Sequence, residues 1–536
     1  MSDPITSQDS GPSAAQRCLS IPDILDLVCT EVWFSWEAPK RGQTLLALAS
    51  TCRAWSEMPL NRIWHDMHGV MPLLRCLNVG TSLRAGEKSV LKRSLTKIDK
   101  VIYDKYAWRV RRFYTTIPST ESAVIHKALS RMADVCIFPN LKSLEWVAED
   151  STTFRCIRFY LHRRLQKLSI GYQTPDQLGI LFAIPSIFSQ NLRHLQIKCN
   201  SDTLMDSHGV ISHALSSWDN LSSLELEDVT FEGLFSMAEM RNLQHLKLCG
   251  LQSPWSRPSS TVVYAASSSW PQKLQALAAL DPPFPSLQSL HIAVKHDNVR
   301  LLIITEFIAC LRKLELRSLH LQFYSIYDTT DHLVKLFRIV SRHCSESLQE
   351  LYYTHRVLPG TFSIVFQPLL CFTHLKTLWV TTCNPIYLSE EEAESIVRSF
   401  PDIEKLGIEI NDNRRHFGGQ DGSYNPLSIL LPFTACKKLK HLGIEIDASD
   451  YNMRQELPVI PDQISKEPNF SLQRLTVGRS PISHAEIVAS FLADIFPNLN
   501  EITLGSVVNN DHAEVWLLVE AIVLIEAFCA ESAARE

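Results

Sequence analysis

A six-residue pattern of hydrophobic and polar positions, L-x-x-L-x-(L/I/V), occurs thirteen times along most of the chain. The alternation of apolar and polar residues at its end predicts a short β-strand with one buried face. Because the copies follow one another about every 30 residues on average, they indicate a repeat array rather than isolated strands. The copies begin at Leu141, Leu165, Leu192, Leu221, Leu243, Leu287, Leu311, Leu348, Leu375, Ile403, Leu439, Leu472 and Leu499.

The stretches between the copies often have the pattern of helices. Ser389 with Glu392, and Ser483 with Glu486, have the spacing of an N-terminal capping box and precede apolar helical runs. Short strands that alternate with helices predict an α/β fold in which each repeat contributes one strand to a solenoid.

The repeat pattern resembles that of leucine-rich repeats, in which each unit places a strand on the inner wall of a horseshoe. The asparagine or cysteine typical of such repeats is present only at Asn200, Cys383 and Asn411, so an irregular leucine-rich-repeat solenoid is expected. The longer gaps between copies are predicted to hold insertions, at 251–283, 318–347 and 411–426.

A different hydrophobic pattern occupies residues 18–67 and predicts three short helices. Pro22 suits the first helical position, where its missing N–H would have no partner. The apolar stripe of the first helix is Ile21, Leu25, Val28 and Val32. A segment of about fifty residues buries only a modest share of its surface when alone. Its apolar face therefore requires a partner, which is either another protein or the rest of this chain.

The residues of this segment resemble an F-box. Ile21-Pro22 stands where that family usually has Leu-Pro, and LLALASTCRAWSE and PLNRIW follow after a linker at 35–44 that is longer than usual. The YAWRV stretch that begins at Tyr106 also resembles fungal F-box domain-containing proteins. The resemblance implies docking on the Skp adaptor of a cullin-based SCF ubiquitin ligase. The residues that it implies for adaptor contact are Pro22, Leu25, Leu45, Leu48, Trp55, Ile63 and Trp64.

The same patterns divide the chain into segments. Residues 1–17 contain little to bury and are predicted to form a disordered tail. The segments predicted after the tail are an F-box at 18–68, a helical linker at 69–137, the leucine-rich-repeat solenoid at 138–510 and a C-terminal capping helix at 511–536. Within the linker, Arg109, Arg111 and Arg112 are expected to form a solvated helix face.

Composition narrows the class of function. With 45% hydrophobic residues, 20% charged residues and a net charge of -5, the chain has no clustered basic face that would predict nucleic-acid binding. No apolar run is long enough to predict a membrane span. Fourteen cysteines without close pairs predict reduced thiols in the cytoplasm or nucleus. Because no catalytic or phosphate-binding motif occurs, we expect neither enzymatic activity nor a cofactor or metal.

The polar positions beside the inward leucines predict a second binding surface. Tyr352 and Trp379 occupy the same outward position in consecutive copies, and exposed aromatic residues are common anchors of protein interfaces. A register shift of one residue would bury both rings instead. The candidate target-binding residues are Lys313, Arg317, Glu350, Tyr352 and Trp379.

Together, the patterns and the F-box resemblance predict a substrate-recognition subunit of an SCF-type ubiquitin ligase. The F-box would bind the Skp adaptor, and through it a cullin, while the repeats bind an unidentified protein target. The alternative is a scaffolding repeat protein whose N-terminal helices only cap the solenoid. The two differ in whether Trp55 and Trp64 are exposed or pack on residues 70–130. A hydrolase on an unusual helical fold has no motif in its favour.

Overall fold

The computed structural model describes most of the chain and divides it into two compact units, Met1–Leu221 and Ser222–Glu536. The described residues are 21–35, 38–82, 90–115, 123–148, 150–172, 174, 177, 191–199, 218, 220–227, 234, 237–249, 275, 277–280, 283–294, 301–311, 315–323, 330–344, 346–355, 365–382, 386–410, 424–449, 467–504 and 512–535. The tail predicted at 1–17, most of the insertion predicted at 251–283 and most of that at 411–426 lie outside these ranges.

The described part of the first unit begins with three helices, as the hydrophobic pattern predicts. They are α1 (Pro22–Ser35), α2 (Ala38–Thr51) and α3 (Arg53–His65). Pro22 occupies the first position of α1, where a missing N–H breaks no helical hydrogen bond. Leu25 and Cys29 of α1 and Leu45 of α2 form a small buried core. Apolar side chains from all three helices pack around it.

The rest of the first unit alternates short helices and strands. The helices whose bounds the structure describes are α4 (Met71–Cys76), α5 (Lys97–Ala107), α6 (Ala123–Ser130) and α7 (Ser151–Phe154), and a 3-10 helix follows at Arg155–Phe159. The strands are β1 (Asp66–His68), β2 (Thr81–Ser82), β3 (Val90–Leu91), β4 (Arg112–Tyr114), β5 (Ser143–Val147), β6 (Lys167–Tyr172) and β7 (His194–Cys199). Strands β1, β4, β5, β6 and β7 pair in parallel in that order, while β2 and β3 form a separate antiparallel pair.

The segment at 69–137 contains strands as well as the predicted helices. Strand β4 pairs in parallel with β1 and with β5, so the parallel ladder includes a strand from this segment. Helix α5 begins with a capping box in which the Thr96 hydroxyl and the Asp99 carboxylate satisfy backbone N–H groups. The guanidinium of Arg93 lies 2.7 Å from Asp99 and, together with the Thr96 hydrogen bonds, lowers the pKa of that buried carboxyl.

The second unit repeats a strand followed by a helical or irregular return. Its strands are β8 (Ser223–Glu227), β9 (His245–Cys249), β10 (Ser289–Val294), β11 (Ser318–Phe323), β12 (Glu350–His355), β13 (Thr377–Thr382), β14 (Lys405–Ile410), β15 (Asn425–Pro426), β16 (His441–Ile444), β17 (Ile446–Asp447), β18 (Arg474–Thr476) and β19 (Glu501–Thr503). The helices of this unit whose bounds the structure describes are α8 (Leu301–Cys310), α9 (Thr330–Cys344), α10 (Glu390–Ser399), α11 (Ala485–Ile495) and α12 (Ala513–Arg535), with 3-10 helices at Gln367–Cys371 and Leu427–Ala435.

Ten of these strands, in the described part of the second unit, pair in parallel in chain order. They are β8 to β14, β16, β18 and β19, and β15 and β17 form a small separate pair. The prediction of an α/β chain with N-terminal helices and stacked parallel strands is confirmed, and the arrangement is compatible with a repeat solenoid. Twelve of the thirteen motif copies coincide with strands, each of which begins two residues after the first leucine or isoleucine of its copy.

The copy assigned to Leu311 is in the wrong register. Leu311 follows α8, and strand β11 begins at Ser318, within an overlapping copy that starts at Leu316. The insertion predicted at 318–347 is also wrong, because this range contains β11 and the amphipathic helix α9. Both errors have one cause: LRKLELRSLHL contains two overlapping matches to the motif, and only the second continues with a strand-length alternation.

The helix start signals gave one correct and one incorrect prediction. Ser389 and Glu392 form the predicted reciprocal capping box of α10, with bonds of 3.2 and 2.7 Å. Helix α11 instead begins after His484, whose side chain makes no capping bond, so the capping box predicted at Ser483 is wrong. Among the described residues, no helix combines the length and the hydropathy needed to cross a bilayer.

The last helix, α12, packs beside the last strand. Trp516 is buried and donates its indole N–H to the carbonyl of Ser480 at 2.8 Å. The Glu520 carboxylate accepts a hydrogen bond of 3.1 Å from the backbone N–H of Ile502 in β19. A side chain therefore satisfies a backbone donor on the strand with which the described ladder ends.

Candidate functional site

The outward face of the second unit's parallel strands carries one continuous row of paired positions. The row is defined by the residue between the two inward apolar residues of each strand, and consecutive members are paired in register. We call it the central row. Its members in order are Glu225, Lys247, His291, His320, Tyr352, Trp379, Gly407, Gly443, Thr476 and Thr503.

Three rings of the central row stack on one another. The ring of His320 lies 4.2 Å from that of Tyr352 and 5.3 Å from that of His291, with interplanar angles of 22° in both pairs. Parallel strands lie about 4.8 Å apart, so side chains at one register position naturally meet face to face. Burial raises the pKa of the Tyr352 hydroxyl. These three residues form a half-buried stack, in which the Nε2 atom of His291 is buried and that of His320 lies 3.0 Å from the Ser318 hydroxyl.

The histidines of this stack are held neutral. Burial, then the neighbouring His320 ring and the Lys247 ammonium, lower the pKa of His291 to about 4. Burial also lowers the pKa of His320, although Glu350 acts in the opposite direction. At the end of the stack, Lys247 pairs with Glu225 at 2.8 Å. At neutral pH the stack therefore presents uncharged imidazoles rather than a cationic patch.

Trp379 leans in the opposite direction, towards β14 and β16. A Cβ atom at Gly407 would overlap the shared bond of the indole, and one at Gly443 would lie 3.1 Å from its far edge. The indole therefore lies across two strands on backbone that carries no side chains. Its N–H donates to the Glu409 carboxylate at 3.2 Å, and its ring centroid lies 4.7 Å from that of His441.

His441 closes this part of the surface. Its Nε2 atom is 2.8 Å from the Thr476 hydroxyl, which lies 2.7 Å from the Thr503 hydroxyl. Burial, then Arg474 and Lys405, lower the pKa of His441 to about 4. The hydroxyl chain holds the imidazole in a fixed orientation beside the indole.

The predicted target-binding residues are distributed unevenly. Tyr352 and Trp379 are half-buried at paired positions, while the inward positions of their strands belong to Leu351, Tyr353, Leu378 and Val380. Glu350 and Arg317 are exposed, but Arg317 lies before β11 rather than on a strand. Lys313 lies outside the described residues.

Sequence analysis missed three residues of this surface that the structure brings together. His320 was hidden by the wrong register at Leu311, and the overlapping copy at Leu316 was the signal that would have found it. His291 and Glu409 occupy outward strand positions that a complete reading of every copy would have included. No group of three or more His, Cys, Asp or Glu side chains in the described ranges could hold a metal ion.

The residues predicted to contact an adaptor lie mostly inside the N-terminal helices. Leu25 and Leu45 form the core, and Leu48, Trp55 and Ile63 pack against it. Trp64 is buried with its ring 4.7 Å from that of Tyr106. Pro22 is exposed at the start of α1. Six of the seven therefore contribute chiefly to packing within the first unit, and they leave little of their own surface to a partner.

Other apolar residues of α1 and α2 are exposed. Leu27 is 61% exposed, Phe34 75% and Leu46 57%; Val28 is exposed as well, and so is Ile21, which directly precedes α1. These five residues define what we call the N-terminal apolar surface. Large apolar side chains scattered singly are ordinary on a soluble protein, but several on one pair of short helices are typical of a binding surface.

Arg109 joins α3 to the end of α5. It was predicted to be solvated, but its side chain is buried, with its guanidinium 2.7 Å from the Glu57 carboxylate and also bonded to Asn61 Oδ1. Arg111 is half-buried, and burial lowers its pKa; Arg112 is exposed. The solvated helix face predicted for these arginines is therefore wrong: α5 ends at Ala107, Arg112 lies in β4, and the buried Arg109 guanidinium pairs with Glu57 and donates to Asn61 on α3.

The chain resembles solved structures but matches neither a family model nor a curated protein. The structure resembles a chain from the crystal structure of the Rad7 and Elc1 complex in yeast, with a TM-score of 0.35 and 14% sequence identity. The resemblance covers 90% of this chain and 87% of that one.

Proposed function

We propose that this chain is the substrate-recognition subunit of an SCF-type ubiquitin ligase, with an F-box at its N-terminus and irregular leucine-rich repeats after it. The observation that carries the proposal is the N-terminal apolar surface. Leu27, Phe34 and Leu46 remain exposed on helices whose own core is small. Covering each such side chain contributes about 1.5–3 kcal/mol, so this surface suits a stable protein partner.

The partner proposed for this surface is the Skp adaptor, through which a cullin would be reached. The F-box sequence pattern at 18–68 supports that choice. Leu25, Leu45 and Trp55 would act indirectly, by holding α1 and α2 in the arrangement that presents the exposed residues. The chain itself would perform no chemistry; it would raise the effective concentration of a target near the conjugating enzyme.

The target is proposed to bind the central row of the second unit. Tyr352 and Trp379 are half-buried at neighbouring strand positions and have polar and charged residues around them. Interfaces are typically organised in this way, with a few aromatic anchors inside a polar rim. The rim residues on this surface include Glu350 and Arg317.

A second candidate function, a scaffolding protein whose N-terminal helices only cap the chain, is favoured by one specific observation. Trp64 stacks on Tyr106, and Arg109 pairs with Glu57, so α3 is attached to the residues that follow it. That attachment is expected of a cap. It leaves the N-terminal apolar surface unexplained, and for this reason we prefer the ligase proposal.

The experiment that tests the proposal places charge on the N-terminal apolar surface. The Leu27→Asp/Leu46→Asp double variant should lose at least about tenfold in capture of purified Skp adaptor, because an unpaired carboxylate in an apolar interface costs several kcal/mol. The matched control is Ile98→Asp on α5, where another exposed apolar residue is replaced. Capture is measured with immobilised full-length chain, after melting curves show that each variant folds.

Two outcomes would contradict the ligase proposal. Undiminished adaptor capture by the folded double variant would remove the assigned surface. Failure of the unmodified chain to bind the adaptor at all would favour the scaffolding function.

A further inference from the structure

The indole of Trp379 forms a flat shelf on the outward face of the second unit. Glycine at 407 and 443 lets one face of the ring lie directly against the backbone of β14 and β16. The surface that remains half-exposed is therefore on the side away from the strands. An aromatic face carries a negative electrostatic potential and attracts cations placed within about 6 Å of its centre.

A carboxylate stands at the edge of this shelf. Glu409 accepts the indole N–H through Oε2, while its Oε1 would lie 3.0 Å from a Cβ atom at Gly443. Among the residues that the structure describes, no lysine or arginine pairs with it; the indole is the polar partner shown for Glu409. Burial raises the pKa of the Glu409 carboxyl, although the indole hydrogen bond acts in the opposite direction.

Other carboxylates of the second unit pair with a lysine or an arginine, unlike Glu409. Glu404 lies 2.8 Å from Lys440, and Glu501 lies 2.5 Å from Arg474. Glu225 lies 2.8 Å from Lys247. Glu409 is thus a half-buried carboxylate beside an aromatic face, and no lysine or arginine of the described residues takes the position that a cation occupies elsewhere on this unit.

From this arrangement we propose that the Trp379–Glu409 shelf binds an arginine side chain of the target protein. The guanidinium would lie flat on the indole and donate hydrogen bonds to the Glu409 carboxylate. This inference rests on the proposed role of the central row in target binding and specifies the chemistry that the target must present. Arginine is the proposed ligand because its planar, positively charged guanidinium is complementary to a carboxylate that stands beside an aromatic ring.

Arginine fits this site better than lysine for two reasons. Its guanidinium is planar and can stack on an indole while it donates two parallel bonds to a carboxylate, whereas an ammonium is a compact, strongly hydrated charge. The first unit provides an example of this stacking, because the guanidinium of Arg41 lies 4.3 Å from the ring centre of Trp33.

His441, the ring that packs against Trp379, does not oppose the proposal. Its pKa is lowered to about 4 by burial and by Arg474 and Lys405, so it is neutral at physiological pH. A neutral imidazole beside the indole adds no charge that would repel an incoming arginine. Lys405 and Arg474 are exposed at the preceding row of strand positions, and Arg474 pairs with Glu501.

The test uses the full-length chain and two pools of random hexapeptides that differ at one central position. One pool has arginine there, and the other has citrulline, which has nearly the same shape but no charge. We expect the arginine pool to bind about tenfold more tightly, the scale of a hydrogen bond to a charged group. Binding is measured by fluorescence anisotropy, which requires no adaptor, so the result is independent of adaptor capture.

Substitutions test whether the preference for arginine over citrulline depends on Trp379 and Glu409. Glu409→Gln and Trp379→Ala should each reduce the arginine-to-citrulline ratio to near one, whereas Tyr352→Ala should weaken both pools without changing the ratio. Gly407→Ala, which displaces the indole, should act like Trp379→Ala. Melting curves identify variants that do not fold, and the nearly isosteric Glu409→Gln keeps the test decisive if the others unfold.

Three outcomes would overturn the inference. The first is equal binding of the two pools, or no binding of the arginine pool, by the folded chain. The second is an arginine preference that survives in folded Glu409→Gln. The third is a gain of tenfold or more in arginine-pool affinity in the Arg414→Gln/Arg415→Gln variant, because the chain's own arginines would then be the occupant.

Discussion

The N-terminal helices and the strands of the second unit bury their apolar residues to very different extents. Among the residues of α1 and α2 whose burial the structure describes, Leu25, Cys29 and Leu45 are the fully buried ones, while Leu27, Phe34 and Leu46 face outward. In β12 and β13 every inward position is fully buried. The helices form an element with a small core and an unpaired apolar surface, whereas the strands complete their own core with their neighbours.

The proposed function assigns the two regions to two kinds of recognition. A surface of several exposed apolar residues suits a permanent or long-lived partner, since such interfaces resemble a divided core. The outward face of the strands has half-buried rings, a carboxylate and hydroxyl groups, an arrangement that favours specific contact with few anchors. The proposed adaptor and target surfaces therefore differ in chemistry as well as in position along the chain.

The largest expected effect tests whether the strands carry their own core. Leu378→Ala in β13 should decrease the free energy of unfolding by about 3 kcal/mol, because it leaves a cavity in close-packed surroundings. Leu46→Ala in α2, where the side chain is 57% exposed, should change it by less than about 0.5 kcal/mol. Denaturant titration of the full-length chain measures both. Equal losses in the two variants would contradict the contrast.

A smaller effect tests how far the helices depend on the residues that follow them. Arg109→Met should destabilise the first unit by about 2 kcal/mol, since it leaves Asn61 without its buried donor and removes the ion pair with Glu57. Glu57→Gln should cost less, because the Glu57 carboxylate is largely exposed. Circular dichroism melting of each variant and of the double variant measures the coupling. Strictly additive losses would mean that the pair contributes nothing of its own.

The smallest expected effect concerns pH and is assigned to two histidines of the strands. His291 and His441 have a pKa lowered to about 4 in the folded chain, against about 6.5 when unfolded. Above that range both states are neutral; as the pH falls from about 6.5 to about 4, only the unfolded chain gains protons, so stability decreases. We expect a loss of about 1 kcal/mol for each histidine after allowance for partial exposure.

The measurement compares denaturation at about pH 7.5 with denaturation at about pH 5. The wild-type chain should lose more stability on acidification than the His291→Asn and His441→Asn variants. The described residues in the core of α1 and α2 include no histidine, so they should contribute nothing to this difference. A variant that loses as much stability as the wild type would exclude its histidine as a source.

Sequence reasoning located strands more reliably than exposed surfaces, for a physical reason. Alternation at Leu351 and Tyr353, or at Leu378 and Val380, fixes which side of a strand is buried, and one wrong step would reverse every side chain. Helices give a weaker constraint, because a stripe such as Leu25 and Val28 can face either the chain's own core or a partner. Leu25 is buried and Val28 is exposed, a distinction that depends on tertiary packing.

The candidate site was only partly predictable for a related reason. Tyr352 and Trp379 could be paired from the motif, but the direction of each ring could not. The direction of the Trp379 ring depends on Gly407 and Gly443, which leave room for the indole on one side. This packing involves residues from three strands and cannot be read from one copy of the motif. The partnership between Arg109 and Glu57 was equally inaccessible, since these residues are separated by 52 positions and share no periodic pattern.

The hydrogen bond between Glu520 and the backbone N–H of Ile502 has a consequence for how this ladder ends. A parallel sheet that stops leaves a row of backbone donors and acceptors to which a strand from another molecule can add, and such edges are common starting points of aggregation. A carboxylate accepts hydrogen bonds but has no N–H to donate to a further strand. Helix α12, whose Glu520 carboxylate accepts from β19, therefore cannot serve as the next strand of the sheet. Chains that lack α12 should therefore associate edge to edge.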